Sequence, residues 1–567
     1  MALATGLLLL ALALSTSCHH TVDVSARQQS STYSSQNFVR RAFHGTVVIG
    51  NTLYIDGGEE VILVDGVKSL RPPVNKTLSI DLSTSWSNST PPAVRVIDKD
   101  SSCPSLNLVT LWANPASNTF YAYGGELSYL VPYIDGSTIP QESFWAFTVD
   151  GNGGGGWHQL DVSSDPTWST LTRTGGGLGA AGPNAGYNLG GYADSRTSQK
   201  TNIDGFVPIP GIQSYNYTSG AWSNNSALGY SKFGTAQLGG MVHVPTWGPA
   251  GILVVIGGQT SPLDKWGDDT TMVPLSNISV FEPQSQTWYH QIATGDIPSN
   301  RDRFCLVGVQ GGDNSTYEIF LYGGHVGGGV YGGGNQSGPV VQANEGLDQV
   351  YVLSLPGFVW IQANYTSKDP RAFQKCHVVG GRQLLSVGGI NSSFVSLYGA
   401  FNDTDPYPHG LKVFDMTEMK WTETFNASAA AYVPPDVVTT YYKDHGKYPS
   451  KWTDTRLQNL IDHSSSPSPS PSPPAEPPTP RKSRAPAAVG GTIGGIAVLI
   501  LITGAIWIRH RNSERSNRSS MYEADARMAA PVHELAPVRK PAEMGTGYLP
   551  FELVGSPVEM KESKSPI

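Results

Sequence analysis

Hydrophobic residues come along this chain in short runs, and six of the runs end on a pair of glycines. LYIDGG ends on Gly57 and Gly58, FYAYGG on Gly124 and Gly125, AGYNLGG on Gly190 and Gly191, LVVIGG on Gly257 and Gly258, IFLYGG on Gly323 and Gly324, and LLSVGG on Gly388 and Gly389. Successive first glycines lie 67, 66, 67, 66 and 65 residues apart, regular enough to mean one structural unit used six times. After a loop of variable length each pair is followed by a second apolar run and a tryptophan, in turn Trp86, Trp157, Trp222, Trp288, Trp360 and Trp421. Short apolar runs bounded by glycine-rich turns predict β-strands. The glycine pair lets the backbone turn sharply and approach a neighbour where a side chain would clash.

Each unit is therefore expected to hold four short antiparallel strands, with its tryptophan packed between adjacent units. A lone four-stranded sheet exposes two apolar faces, and setting six around an axis buries both. The predicted fold class is all-β, a six-bladed β-propeller over residues 38–432 with 433–463 as its C-terminal extension. Composition agrees: charged residues are only 14%, while 64 Gly, 13 Trp and 25 Tyr suit tight turns and aromatic packing. A formal net charge of -8 gives no basic field to attract a phosphate backbone, which argues against nucleic acid as a partner.

Two further hydrophobic segments set the layout. Residues 1–17 read as a secretory signal peptide, although the n-region lacks its usual basic residue. Residues 485–508 carry no charge and are long enough to cross a bilayer as one helix. Between propeller and span, residues 464–484 form a Pro/Ser-rich stalk, and residues 509–567 a polar, disordered tail. The expected product is a single-pass type I protein of the cell membrane with its N-terminal domain outside. Basic residues on both sides of the span leave the orientation resting on the signal peptide. The tail repeats a short Pro-X-Glu-like pattern at Pro531, Pro541, Pro550 and Pro557, a candidate docking site for cytosolic adaptors.

The glycine pairs, aromatic strands and following tryptophans resemble Kelch repeats, and the match covers about residues 38–432. The whole layout is similar to single-pass Kelch-repeat membrane proteins of filamentous fungi. That resemblance implies a propeller architecture and little biochemistry.

Eleven Asn-X-Ser/Thr sequons precede the span, at Asn75, Asn88, Asn216, Asn224, Asn277, Asn314, Asn335, Asn364, Asn391, Asn402 and Asn426, and predict a glycoprotein. Cys305 and Cys376 fall at similar places in the first strands of neighbouring units, where an oxidising compartment allows a disulfide; two buried thiols are the alternative. Cys103 is left over.

Chemistry is sparsely marked. No nucleophile elbow, P-loop or paired acid and base stands out, and no cofactor is expected. The competing enzyme reading is a membrane-tethered oxidase like galactose oxidase, a Kelch-type propeller with copper on tyrosine and histidine. Its candidate ligands here are His44, His243, His325 and His377, which lack any short ligand spacing and read rather as ordinary strand histidines. Arg301, Arg303 and Arg371 are candidates for the channel entrance or for inter-blade bonding. The favoured reading is a non-enzymatic cell-surface binding or scaffold protein with a protein or cell-wall glycan ligand. Which of the two it takes is not decided by any residue pattern.

Overall fold

Each run ending in Gly-Gly becomes the second strand of a four-stranded antiparallel meander. The computed structural model describes residues 33–463 except 74, 129, 131–138, 140, 202–204, 264–270, 327–345, 366–368 and 395–396. The expected leader, stalk, span and tail lie outside the described residues, and so does Asn335. Among the described residues no helix is long and apolar enough to cross a membrane.

Sheet one holds Gly45–Ile49, Thr52–Asp56, Lys76–Asp81 and Val94–Asp98; sheet two holds Asn107–Asn114, Thr119–Glu126, Phe144–Val149 and Gly155–Leu160. Sheet three is built from Leu178–Ala181, Ala185–Leu189, Ile212–Asn216 and Trp222–Asn225, and sheet four from Gly240–Val244, Ile252–Ile256, Asn277–Glu282 and Thr287–Ile292. Sheet five takes Cys305–Gln310, Tyr317–Tyr322, Val350–Leu355 and Val359–Gln362, with Thr294–Gly295 added in parallel at its outer edge. Sheet six takes Lys375–Val379, Gln383–Val387, Leu411–Asp415 and Lys420–Thr422. The first strands touch in order from sheet one to sheet six, and that of sheet six meets that of sheet one.

The tryptophans repeat one register. In sheets two to six each sits on the fourth strand opposite a large apolar residue of the third: Trp157 with Phe147, Trp222 with Tyr215, Trp288 with Phe281, Trp360 with Leu353 and Trp421 with Phe414. Their rings reach back to the preceding sheet. The indole N–H of Trp157 donates to Thr77 Oγ1 at 2.8 Å, that of Trp288 to Ser226 O at 3.0 Å, and that of Trp360 to Leu275 O at 2.9 Å. Trp86 differs, lying on a two-residue strand that pairs with Thr424–Phe425 beyond sheet six. It packs with Val379 and Leu385 of sheet six, so it serves the junction between the last unit and the first.

The glycine pairs carry the tightest contacts between units. All twelve glycines have φ between 57° and 112°, the left-handed region that side chains disfavour. The N–H of each second glycine donates to a carbonyl of the next sheet: Gly58 to Leu106 (3.2 Å), Gly125 to Thr174 (2.8 Å), Gly191 to Ala236 (2.7 Å), Gly258 to Arg301 (3.2 Å) and Gly324 to Arg371 (2.6 Å). The sixth, Gly389, donates to Arg41 ahead of sheet one at 2.7 Å. A Cβ on the first glycine would sit 2.0 Å from Leu106 O at Gly57, 2.2 Å from Ala236 O at Gly190 and 2.3 Å from Arg371 O at Gly323. Gly257 is the variant, meeting the Phe304 ring at 3.0 Å.

Some elements were not expected. Phe38–Ala42 joins Glu59–Val64 and Val67–Arg71 in an extra three-stranded sheet outside sheet one. The glycine-rich stretch at residues 151–157 forms a tight turn closed on Asp150 Oδ1, and Gly155 already belongs to the fourth strand. The extension at 433–463 forms helices Asp436–His445 and Thr455–His463. Val438 packs on Val359 and Ile361 of sheet five, and Leu457 and Ile461 enter the core shared by sheets four and five.

Gly57→Ala is expected to destabilise the protein by about 3 kcal/mol, because it adds both left-handed strain and a backbone clash. Gly50→Ala, with φ of 57° and nothing within 4 Å of the new Cβ, should cost only about 1 kcal/mol. Urea unfolding of the two variants reads the difference; equal losses would sink the clash argument.

Candidate functional site: the axial mouth and cavity

The residue after each acceptor carbonyl faces, across a short antiparallel pairing, the residue after that unit's glycine pair. The six pairs are Ala42 with Glu59, Asn107 with Glu126, Gly175 with Tyr192, Gln237 with Gln259, Asp302 with His325, and Ala372 with Ile390. One residue further on, Phe43, Leu108, Gly176, Leu238, Arg303 and Phe373 all have φ between 54° and 64°. Four backbone bonds join these six around the axis: Leu108 N to Phe43 O (2.6 Å), Leu238 N to Gly176 O (2.8 Å), Arg303 N to Leu238 O (2.7 Å) and Phe373 N to Arg303 O (2.9 Å). Together these positions ring one end of the first strands, a mouth whose paired residues are themselves largely buried.

The mouth has two chemically distinct arcs. Sheets six and one give an apolar arc, where Phe43 meets Phe373 edge-on at 4.4 Å and Phe401 at 5.6 Å, with Ala42, Ala372 and Ile390 beside them. Glu59 of the first unit and the remaining sheets give a polar arc. Asn107 Nδ2 and Ser128 Oγ donate to Glu59 Oε1 at 2.8 and 2.6 Å, and Tyr192 OH donates to Glu126 Oε2 at 2.9 Å. Gln259 Nε2 and an Arg303 guanidinium nitrogen both donate to Asp302 Oδ2, and His325 Nδ1 lies 3.7 Å from Asp302 Oδ1.

This arc contains polar atoms that the protein leaves unpaired. Gln237 is 0% exposed and neither its Nε2 nor its Oε1 has a hydrogen-bond partner. Its cross-strand neighbour Gln259 leaves Oε1 unpaired, and Ser261 leaves Oγ unpaired. Such groups each cost on the order of 1–3 kcal/mol when shielded from water, so a cluster of them calls for an explanation. Burial, reinforced by the Asp194 charge, pushes the Glu126 carboxyl up to about 8. Glu59 is also raised by burial, against the hydrogen bonds from Ser128 and Asn107.

Beyond the mouth lies an axial cavity of about 300 Å³, walled by residues from the first strands of all six sheets or just ahead of them. Cys305 and Cys376 stand in its wall as a disulfide joining sheets five and six, with Cα atoms 5.6 Å apart. Cys103 is a buried free thiol. The candidate histidines are dispersed. His44 is bonded to Val387 O at 3.2 Å, His243 to Ala250 O at 3.0 Å and His377 to Thr46 Oγ1 at 2.7 Å, while His325 adjoins Asp302. Among the described residues no group of three or more His, Cys, Asp or Glu side chains could hold a metal. Burial holds His44 down at about 3 and His377 at about 4.

Of the three candidate arginines, Arg303 belongs to the mouth, and the other two brace the joints between units. Arg301 and Arg371 are 0% exposed, and each donates to the carbonyl of the first glycine in its own unit, Gly323 at 3.3 Å and Gly388 at 2.8 Å. Arg371 also grips Asp405 through two bonds of 2.9 and 2.7 Å. Arg41 uses the same device on Gly57 O at 3.3 Å. Ten sequon asparagines are described, and none is buried; Asn75, Asn216, Asn224, Asn314, Asn364 and Asn426 are exposed.

No family model matches the chain. A Kelch repeat-containing protein of Arthroderma benhamiae is 24% identical over 431 residues, covering 70% of this chain and 58% of the relative. The chain thus spans less than two thirds of that relative's length. The repeat, its glycine pairs and the six meanders agree with that similarity.

Between about pH 4.3, the value of an unfolded Glu, and about pH 8, folded Glu126 holds a proton that the unfolded chain has lost. Its contribution therefore favours the fold below pH 4.3 and is lost as pH rises through 8. Glu126→Gln should melt at a higher temperature than wild type at pH 8 and at nearly the same temperature at pH 4. Parallel melting curves across that range would refute the assignment. His44 and His377 act with the opposite sign, costing stability as pH falls from about 6.5 towards 4.

Proposed function

We propose, taking this chain as a Kelch-repeat β-propeller protein, that it is a membrane-anchored surface glycoprotein whose head binds a cell-wall glycan without transforming it. The six sheets are read as blades of one closed propeller. Three contacts support closure: the Gly389 to Arg41 bond, the His377 to Thr46 bond and the pairing of Phe425 with Trp86. Anchoring rests on the sequence of residues 485–508, and glycosylation on the sequons, whose unburied asparagines leave room for a glycan.

The observation that carries the ligand class is the orphaned amide of Gln237, beside the unpaired Gln259 Oε1 and Ser261 Oγ. A sugar offers closely spaced hydroxyls that both donate and accept, which suits an amide with both ends free. The apolar arc of Phe43, Phe373 and Ile390 lies across the same mouth, and the C–H face of a sugar ring packs on such a surface. Acid, base and metal groups assembled for turnover form no part of this reading.

Gln237→Leu separates binding from folding. Exchanging an unpaired buried amide for an apolar group of similar size should leave the melting temperature equal or higher. Sedimentation of the full-length chain with insoluble wall polysaccharide should weaken at least tenfold in the variant, and glycosidase-treated wall should not retain wild type. Undiminished sedimentation of Gln237→Leu would overturn the mouth as the glycan site. No sedimentation of wild type would overturn the glycan class and leave a protein ligand.

A further inference from the structure

The axial cavity has its own chemistry, separate from the mouth. Lys375 lines it, half-buried, from the first strand of sheet six. No described hydrogen bond or ion pair involves its ammonium, and the side chains lining the cavity include no carboxylate. Period-two alternation places Lys375 and His377 on one face of their strand, towards sheet one, where His377 is bonded to Thr46. Burial pushes the Lys375 pKa down, and burial together with the Lys375 charge holds His377 neutral at about 4. Gln374, 2% exposed, lines the same cavity and leaves Oε1 unpaired while its Nε2 donates to Tyr322 O at 2.8 Å.

An uncompensated positive charge in a walled cavity is costly, and the protein has ample acidic side chains with which to answer it. The chain carries 45 acidic against 37 basic residues, and three of its other buried cations are answered by them. Lys99 is paired with Asp56 at 2.9 Å, Lys412 with Asp369 at 3.1 Å, and Arg371 with Asp405 at 2.7 Å. Lys375 differs from these three.

We propose that the axial cavity is a binding site for a small anion, a single carboxylate or phosphate group held by Lys375. Thr46, whose Oγ1 is bonded to His377, lines the same cavity. The inner edges of the first strands supply backbone N–H groups that no neighbouring strand uses. A volume of about 300 Å³ admits a ligand of monosaccharide size, such as a sugar acid. The site goes beyond the glycan reading of the mouth and does not depend on it, since Gln237 and Lys375 belong to different sheets and different levels of the axis.

Isothermal titration of the full-length chain in mild detergent, with D-glucuronate, inorganic phosphate and D-glucose as separate probes, tests it. Saturable one-to-one binding of glucuronate or phosphate, at least tenfold tighter than glucose, is expected. Lys375→Met should lose that binding at least tenfold, and Lys375→Arg should keep it within about threefold. Binding of neither anion, equal binding of glucose, or undiminished binding by a folded Lys375→Met would overturn the proposal. A second measurement needs no variant: saturating anion should protect Lys375 of wild type from acylation, read by mass spectrometry, and unchanged acylation would also overturn it. Glucuronate binding that survives Gln237→Leu while wall sedimentation is lost would separate the two sites.

Discussion

A single backbone hydrogen bond, from the N–H of the second glycine in each pair to a carbonyl of the next sheet, sets the spacing on which everything else depends. It recurs six times, and the last instance runs from Gly389 back to Arg41. The first glycine is bare so that the acceptor carbonyl can come close, and both glycines adopt a backbone that side chains disfavour. Once two sheets are held at that distance, the tryptophan of one falls into the face of the other. The paired residues beyond the glycines then gather at one mouth. The mouth is thus a by-product of the spacing device, and its chemistry is free to vary from sheet to sheet.

That freedom explains why two kinds of polar side chain occur side by side. Arg301, Arg371 and Arg41 spend their guanidinium groups on glycine carbonyls and carboxylates, reinforcing the joints. Gln237, equally buried, and half-buried Lys375 have no such joint to reinforce. In an interior where polar groups are ordinarily paired, these two side chains stand near the axis, where a ligand has room to enter.

The glycine pairs, the tryptophans and the Cys305–Cys376 pairing were legible in the sequence because each requires a particular side chain or its absence. The acceptors were not. Leu106, Thr174, Ala236, Arg301, Arg371 and Arg41 share only a backbone carbonyl, which every residue has. The same holds for the left-handed residues of the mouth, where Phe43, Leu108, Leu238, Arg303 and Phe373 carry no common mark. Gln237 and Lys375 look like ordinary polar residues of a strand entrance until their surroundings show that nothing answers them. Trp86 was recognised as part of the repeat, but its departure from the fourth strand follows from pairing with residues more than 330 positions away.

The chain after sheet six does not leave from the junction where the last sheet meets the first. It runs on to sheets four and five and docks there through Val438, Leu457 and Ile461, with Gln291 receiving an N–H from Thr453 at 2.9 Å. A pull on the chain beyond residue 463 is therefore borne first by those helices and by sheets in the interior of the series. The strand pair of Phe425 and Trp86, which would otherwise peel open one residue at a time, is shielded from that load. The extension works as a strain relief for the seam.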